Sequence, residues 1–430
     1  MRLVSTAGAA APADLRTALL TGLAPDGGLY LPESLEPLQQ DAVAALRGAP
    51  LEETALAVAR HLLRGEPADG ALRQIVRDAL SFPIPLVPLD RRIYALELFH
   101  GPTCAFKDVG ARFLARLMAH YHGASEPPLT VLVATSGDTG SAVAQAFFGV
   151  PGTRVVVLYP EGKVSPIQER QFTTLGGNIT AVAVAGTFDD CQRLAKQAFA
   201  DPGLAGLRLT SANSINIGRL LPQVFYYFHA WAQLPEMPAE LVVSVPSGNF
   251  GNLTAGLVAK RLGLPVTRFV AATNVNDVVP EYLAGGAFRP RPSVPTISSA
   301  MDVGNPSNFA RMQALYGNDA GRLRADVEGH AYTDDQTRAV IGRAAHDWNY
   351  VLDPHGSVAC LGLAQGMLGR PRATGVFLAT AHPAKFAALV EPLVRRPVPL
   401  PERLAACLRR EPAVVQIGPE LRELREVLLQ

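Results

Sequence analysis

The sequence predicts an α/β fold built on mostly parallel sheets, and three observations predict it. Short β-branched runs bounded by turn residues recur through the middle of the chain. Amphipathic segments separate them, and the runs are apolar throughout rather than alternating, as strands buried on both faces are. The runs are residues 129–135 (LTVLVAT), 153–159 (TRVVVLY), 179–184 (ITAVAV), 241–245 (LVVSV) and 266–271 (VTRFVA). Between and beside them, residues 141–148, 188–199, 220–233 and 253–262 carry apolar side chains at helical spacing. The first ninety or so residues differ, being rich in Ala and Leu with a turn at APDGGLYLP, and read as a separate helical region. The Pro-rich stretch EPLVRRPVPLPERL marks a boundary before a short helical tail.

Composition narrows the function classes. The chain has 430 residues, 48% of them hydrophobic, enough for a large core and about two or three domains. Lys and Arg number 39 against 38 acidic residues. A net charge this close to zero gives no electrostatic case for nucleic acid or an anionic membrane as partner. Small molecules are the expected partners. The four cysteines, Cys104, Cys191, Cys360 and Cys407, form no Cys-x-x-Cys pair, which argues against zinc and disulfides and for a reducing cytoplasm. Pro12, Asp14 and Arg16 interrupt the N-terminal apolar stretch before a signal-peptide core forms, and no run of eighteen apolar residues exists.

The segment HGPTCAFKDV puts one lysine at the mouth of a helix. Phe106, Val109, Phe113, Leu114, Leu117 and Met118 gather on one face of FKDVGARFLARLMAHYH, so Lys107 falls in its first turn. The helix dipole and apolar walls from Phe106 and Val109 both disfavour the ammonium form. A neutral lysine amine can attack an aldehyde, and the Schiff base with pyridoxal phosphate is the usual use of such an amine. From this segment alone the default is a helix-start lysine that snorkels to water.

Three strand-to-helix junctions suit anions. VPSGNFGN brings Gly248, Asn249, Phe250, Gly251 and Asn252 to a turn whose backbone N–H groups converge at a helix start. It lacks the Gly-Lys-Ser/Thr of a nucleotide loop and the dinucleotide glycine spacing. ATSGDTG offers Thr135, Ser136, Asp138 and Thr139, either to an oxyanion or as caps of the following helix. SANSINIGR offers Asn213, Ser214 and Arg219, whose guanidinium is a planar fork for an oxyanion or a solvated helix-start side chain. A fourth segment, FLATAHPAKF, carries Thr380, His382 and Lys385; the default for His382 is a satisfied hydrogen-bonded ring.

The strings ELFHGPTCAFKD, ATSGDTGSAVA, SANSINIGRL, VPSGNFGN and ATAHPAKF, in this order and spacing, resemble the threonine synthase family of pyridoxal-phosphate enzymes of fold type II. GLAPDGGLYLP, FAATNVNDVVP and AMDVGNPSN extend the resemblance over nearly the whole chain. It implies two open, mostly parallel αβα subdomains with the cofactor between them (residues 93–395), an N-terminal region (1–92) and a C-terminal helical extension (396–430). It implies conversion of O-phospho-L-homoserine and water to L-threonine and phosphate by a cytoplasmic monomer or homodimer. Carried over by position, Lys107 forms the Schiff base and residues 248–252 hold the cofactor phosphate. Thr380 faces the pyridine nitrogen. Thr135, Ser136, Thr139, Asn213, Ser214 and Arg219 hold the substrate's carboxylate and phosphate. Two positions depart from the family. Asp138 stands where some relatives have an asparagine bonded to the cofactor's phenolic oxygen, so the acid must be protonated, solvated or differently oriented there. Ala7 replaces an arginine common in the family's N-terminal string. A serine/threonine dehydratase would share the lysine and the glycine loop but has no need of the second phosphate cradle. A noncatalytic phosphate-ligand binder would have no need of Lys107.

Overall fold

The computed structural model describes residues 1–123 and 126–430. Strands are numbered in chain order. β1 (Arg2–Ser5), β2 (Ala13–Asp14) and β3 (Tyr30–Pro32) form a small antiparallel sheet ordered β2-β1-β3. Then follow β4 (Leu86–Asp90), β5 (Ile93–Glu97), β6 (Leu129–Ala134), β7 (Thr153–Pro160), β8 (Ile179–Val184) and β9 (Leu209–Thr210). The second half adds β10 (Glu240–Pro246), β11 (Arg268–Thr273), β12 (Val327–Ala331), β13 (Ala373–Ala379) and β14 (Val415–Ile417). Two open sheets result. One runs β12-β11-β10-β13-β5-β4, parallel except for the β4–β5 pair, and the other runs β14-β8-β7-β6-β9, parallel throughout.

The expected α/β architecture is present, and burial explains why its strands were readable. All six residues of β6 are buried, as are Val155, Val156 and Val157 of β7, so each run is covered on both faces and needs no polar alternation. The helix expected over 220–233 is broken. Pro222 supplies no N–H to the ladder, so a short helix, Ile217–Leu220, is followed by a separate one, Gln223–Gln233.

The chain's two ends correct the expectations made for them. The first ninety residues are not purely helical, since they carry β1 to β3, and they are not separate. One apolar cluster runs from Leu3, Leu19 and Leu62 through Leu114 and Phe225 to Val245 and Leu378, and helix Leu51–Leu62 packs on Gln223–Gln233. The C-terminal segment is likewise not all helix. β14 extends the five-stranded sheet beside β8, and helix Leu421–Leu429 lays Leu424, Val427 and Leu428 over Val156, Leu158 and Val182. No helix among the described residues is long and apolar enough to cross a membrane.

Arg311 ties the N-terminal sheet to the interior. It is fully buried, and its guanidinium donates to the carbonyls of Tyr30 (2.9 Å), Ser214 (3.1 Å) and Ile215 (2.6 Å) and to Oδ1 of Asn308 (2.7 Å). Burial pushes its pKa down to about 9, and four acceptors hold its proton donors. Arg311→Met would leave those acceptors buried without donors, at roughly 1–3 kcal/mol for each one not rescued by water. The urea unfolding midpoint of that variant should fall by an amount corresponding to about 3 kcal/mol or more; an unchanged midpoint would contradict the assignment.

Candidate active site

The site gathers at the carboxyl ends of parallel strands, where open α/β sheets form their clefts. In one sheet, β10, β13 and β5 are neighbours and point the same way. The glycine loop follows β10, Thr380 follows β13, and the loop leading to Lys107 follows β5. Two strand spacings separate the outer pair, about 10 Å, the scale of a substituted pyridine ring. In the other sheet, β6 and β9 are neighbours, and the turns after them carry 135–139 and 211–219.

The loop before Lys107 is zipped to the segment after β13. Leu98 N–H donates to the Ala379 carbonyl (2.9 Å), Phe106 N–H to Thr380 (2.8 Å) and His382 N–H to Cys104 (3.1 Å), and Ala105 bridges Ala381. Asp108, fully buried, accepts from the Thr103 N–H and hydroxyl, both at 2.8 Å. Burial raises its pKa to about 6 despite those bonds. Helix Lys107–Tyr121 starts there, with Lys107 as its first residue. Burial pushes the Lys107 amine down to about 8; the Asp138 carboxylate offsets part of this, while Arg219 and Lys385 add repulsion. The direction is that expected from its helix-mouth setting, but the two cations are additional.

Gly248 to Asn252 form a cradle. Among the described residues their five backbone N–H groups have no protein acceptor. Phe250 adopts a left-handed backbone, φ 61°, which turns the chain into helix Gly251–Arg261. A Cβ on Gly248 would lie 2.7 Å from Met301 Cα and 2.9 Å from the Ala300 carbonyl, so only glycine fits. The loop's side chains brace it rather than face the cleft. Asn249 donates to Ser214 Oγ (2.5 Å) and accepts from Ser307 N–H (2.6 Å). Asn252 donates to the Pro246 carbonyl and accepts from Leu253 N–H. Thr380, buried at the end of β13, has no hydroxyl partner among the described residues.

At the β6 turn the expected residues divide. Thr135 is occupied: its hydroxyl accepts from the N–H groups of Gly137 (3.0 Å) and Gly140 (2.8 Å) and donates to the Gly137 carbonyl, so it is the turn's brace and not a free ligand. Ser136 is exposed and Thr139 half-buried, and among the described residues neither hydroxyl is bonded. Asp138 is neither protonated nor solvated. Burial alone would raise its pKa, but Lys385 and Lys107 outweigh this and hold it below the usual carboxylate range. Its Oδ1 takes the Lys385 ammonium and Gln168 Nε2 (2.7 Å).

Arg219 is not the solvated helix-start arginine it could have been. It is 4% exposed, its Nη1 donates to the Ala212 carbonyl (2.6 Å), and its buried Nε has no acceptor among the described residues. Burial lowers its pKa to about 10, which leaves it charged at neutral pH. The Asn213 amide oxygen is also buried and unpaired. Ser214 accepts from Asn249, joining this turn to the glycine loop.

Lys385, Gln168 and Arg311 were not assigned from sequence. The spacing of ATAHPAKF brings Lys385 within five residues of Thr380, but its partner Asp138 lies 247 residues away. His382 is the satisfied ring expected by default: its Nδ1 accepts from Ala384 N–H (3.2 Å), and burial lowers its pKa to about 4. Among the described residues no group of His, Cys, Asp and Glu could hold a metal.

These residues fit pyridoxal phosphate: an amine of lowered pKa for its aldehyde, unbonded N–H donors at a helix start for its phosphate, and a free hydroxyl two strand spacings or less away for its ring nitrogen. Residues 80–380 match the family model described as pyridoxal-phosphate dependent enzyme, residues 2–80 that of the threonine synthase N terminus and residues 361–428 that of the threonine synthase C-terminal region. The chain is 48% identical to threonine synthase of Haemophilus influenzae over 389 residues, 90% of each protein. The structure of Escherichia coli threonine synthase superposes with a TM-score of 0.93 at 42% identity, covering 100% of this chain and 99% of that one. That of pyridoxal-phosphate-bound threonine synthase from Brucella melitensis also gives 0.93, at 37% identity, covering 100% and 98%. The chain belongs to the threonine synthase family of pyridoxal-phosphate dependent enzymes.

Proposed function

We propose that this enzyme converts O-phospho-L-homoserine and water to L-threonine and phosphate, using Lys107, the 248–252 loop and Thr380 for the cofactor and the turns after β6 and β9 for the substrate. The observation that carries the substrate reading is Arg219: a buried guanidinium with an unpaired Nε, beside the Lys107 amine but outside the cofactor cradle. A buried unpaired donor on a cation is costly, and a second phosphate would satisfy it. A dehydratase acting on an unphosphorylated amino acid has no group for it.

Pyridoxal phosphate, when bound, acidifies the substrate's Cα by spreading its charge into the ring. The backbone N–H groups of Gly248 to Asn252 would hold its phosphate, and the neutral Thr380 hydroxyl would face its ring nitrogen without adding a charge there. Ser136 and Thr139, with the N–H groups of their turn, would orient the substrate carboxylate. Lys107, once freed, is the base that takes the proton from Cα and then from Cβ. Arg219, with Asn213 and Ser214, stabilises the phosphate as it leaves Cγ. Lys107 returns one of the two protons to Cγ, water adds its hydroxyl at Cβ while its remaining proton goes to the departed phosphate, and the other proton goes back from Lys107 to Cα to complete threonine. An amine with a pKa of about 8 suits both directions of transfer near neutral pH. The four cysteines stand unpaired and three are buried, which supports a reducing compartment such as the cytoplasm.

Three outcomes test these roles. Lys107→Ala should lose the visible absorbance of the bound cofactor and all measurable formation of threonine from O-phospho-L-homoserine; turnover near the wild-type rate would sink the assignment. Arg219→Ala should lower kcat/KM for phosphate release by one to two orders of magnitude, the equivalent of roughly 1.5–3 kcal/mol for a charge-assisted contact. Unchanged kinetics would reject the phosphate role. In the apoenzyme Lys107 is protonated below its pKa of about 8 and unreactive in that form. The rate of cofactor uptake should therefore rise with pH up to about 8 and level off above it; a rise continuing towards 10.5 would show an ordinary lysine.

A further inference from the structure

The pair Lys385–Asp138 has no task in the mechanism above. Lys385 lies in the short turn Pro383–Phe386, just beyond Thr380. Its side chain is 0% exposed and that of Asp138 is 6% exposed. The ammonium donates to Asp138 Oδ1 and to the Thr103 carbonyl (3.0 Å). An ammonium has three protons, and among the described residues the third has no protein acceptor. Asp138 is fixed in turn: Gln168 Nε2 donates to the same Oδ1, and the Ser165 hydroxyl holds Gln168 Oε1 at 2.8 Å. A buried ion pair is weak as a stabilising device, because desolvation cancels much of its attraction. A pair braced this thoroughly beside a reactive amine therefore suggests a chemical use.

The cofactor's own structure identifies the use. In pyridoxal phosphate the ring carbon bearing the aldehyde has the phenolic carbon on one side and the carbon carrying the phosphate arm on the other; with the phosphate in the 248–252 cradle, a cation beside the anchoring amine and outside that cradle faces the phenolic oxygen. Lys385 donates to the carbonyl of Thr103, whose N–H and hydroxyl hold Asp108 next to Lys107, and Asp138 is paired to Lys385, so both stand beside the anchoring amine. A carboxylate there would repel a phenolate, and the Asp138 oxygen that is bonded is turned to Lys385 and Gln168. We propose that Lys385, oriented by Asp138, donates its third proton to the phenolic oxygen of the cofactor and keeps that oxygen anionic. Lys385 is then a cofactor-contacting catalytic residue, Asp138 and Gln168 are positioning residues, and Asp138 does not itself touch the cofactor. This rests on the reading of Lys107 as the cofactor anchor.

The test is the absorbance spectrum of the holoenzyme at neutral pH, where the phenolate form of the bound cofactor absorbs in the visible and the protonated phenol in the near ultraviolet. Lys385→Met should lower the ratio of visible to near-ultraviolet absorbance about tenfold or more, the effect of losing one charge-assisted hydrogen bond. Lys385→Arg should restore part of the ratio. Because Lys385→Met strands the Asp138 charge, the double variant Lys385→Met, Asp138→Asn provides a neutral, better-folding background, and its ratio should stay low. A wild-type ratio in either methionine variant, with cofactor bound stoichiometrically, would overturn the proposal. A wild-type spectrum without any visible band would overturn it as well, whereas borohydride reduction that fixes the cofactor to no residue, or to one other than Lys107, would overturn the Lys107 reading instead, so the two failures are distinguishable.

Discussion

A buried cation is tolerated only where opposite charge or hydrogen-bond acceptors compensate its lost solvation, and this cleft buries three: Lys107, Arg219 and Lys385. Two carboxylates oppose them. Asp138 pairs with Lys385, while Asp108 accepts, among the described residues, only from Thr103 and has its own pKa raised to about 6. The positive excess is what the fold must hold in place, and it explains the perturbed amine and guanidinium together. It also explains selectivity for ligands that arrive with anionic oxygens, since each such group relieves a desolvated donor that the protein leaves unpaired.

Holding that excess requires rigidity at the strand ends. Three adjacent parallel strands, β10, β13 and β5, set the spacing of the cofactor groups, and the zipper between 98–106 and 379–382 fixes the Lys107 loop against Thr380. The glycine loop is braced from behind. Met301 and the Ala300 carbonyl close the space at Gly248, and His355 Nε2 accepts the Ala300 N–H (3.2 Å) while its Nδ1 is bonded to Asp353 (2.7 Å). The N–H donors of the cradle can stay unpaired because so many neighbouring groups are paired.

Much of this was legible in local sequence. The buried strands announce themselves as unbroken β-branched runs, and Lys107 is marked by the apolar helix that follows it. The glycine loop is marked by the strand before it and the helix after it. What was not legible depends on distance or on competition. Thr135 and Asn252 are polar residues at the right turns, but local backbone groups take their side chains, as short hydroxyl and amide side chains in turns commonly allow. Lys385 and Asp138 meet across 247 residues, and Arg311 reaches Tyr30 across 281. β1 to β3 and β14 are two to four residues long, too short for a period to show. The N-terminal segment looked separate because its composition differs, whereas its apolar face is completed only by Gln223–Gln233 and the lysine helix.

In the proposed reaction the two sheets divide the chemistry, one carrying the groups assigned to the cofactor and the other the turns assigned to the substrate, so their relative position must be fixed for it to proceed. The lysine helix, Lys107–Tyr121, does this. It packs on Asp138–Phe147, which follows β6, and on Ile217–Leu220, which follows β9. At the second contact Gly110 lies one turn beyond Lys107, and a Cβ there would stand 2.7 Å from the Arg219 carbonyl and 3.1 Å from its Nε. The absence of that one carbon lets the guanidinium lie against the helix that carries the amine. Lys107 and Arg219, the proposed base and leaving-group clamp, are thereby set by a single backbone contact rather than by two independent loops, and an error of position at Gly110 would displace both at once.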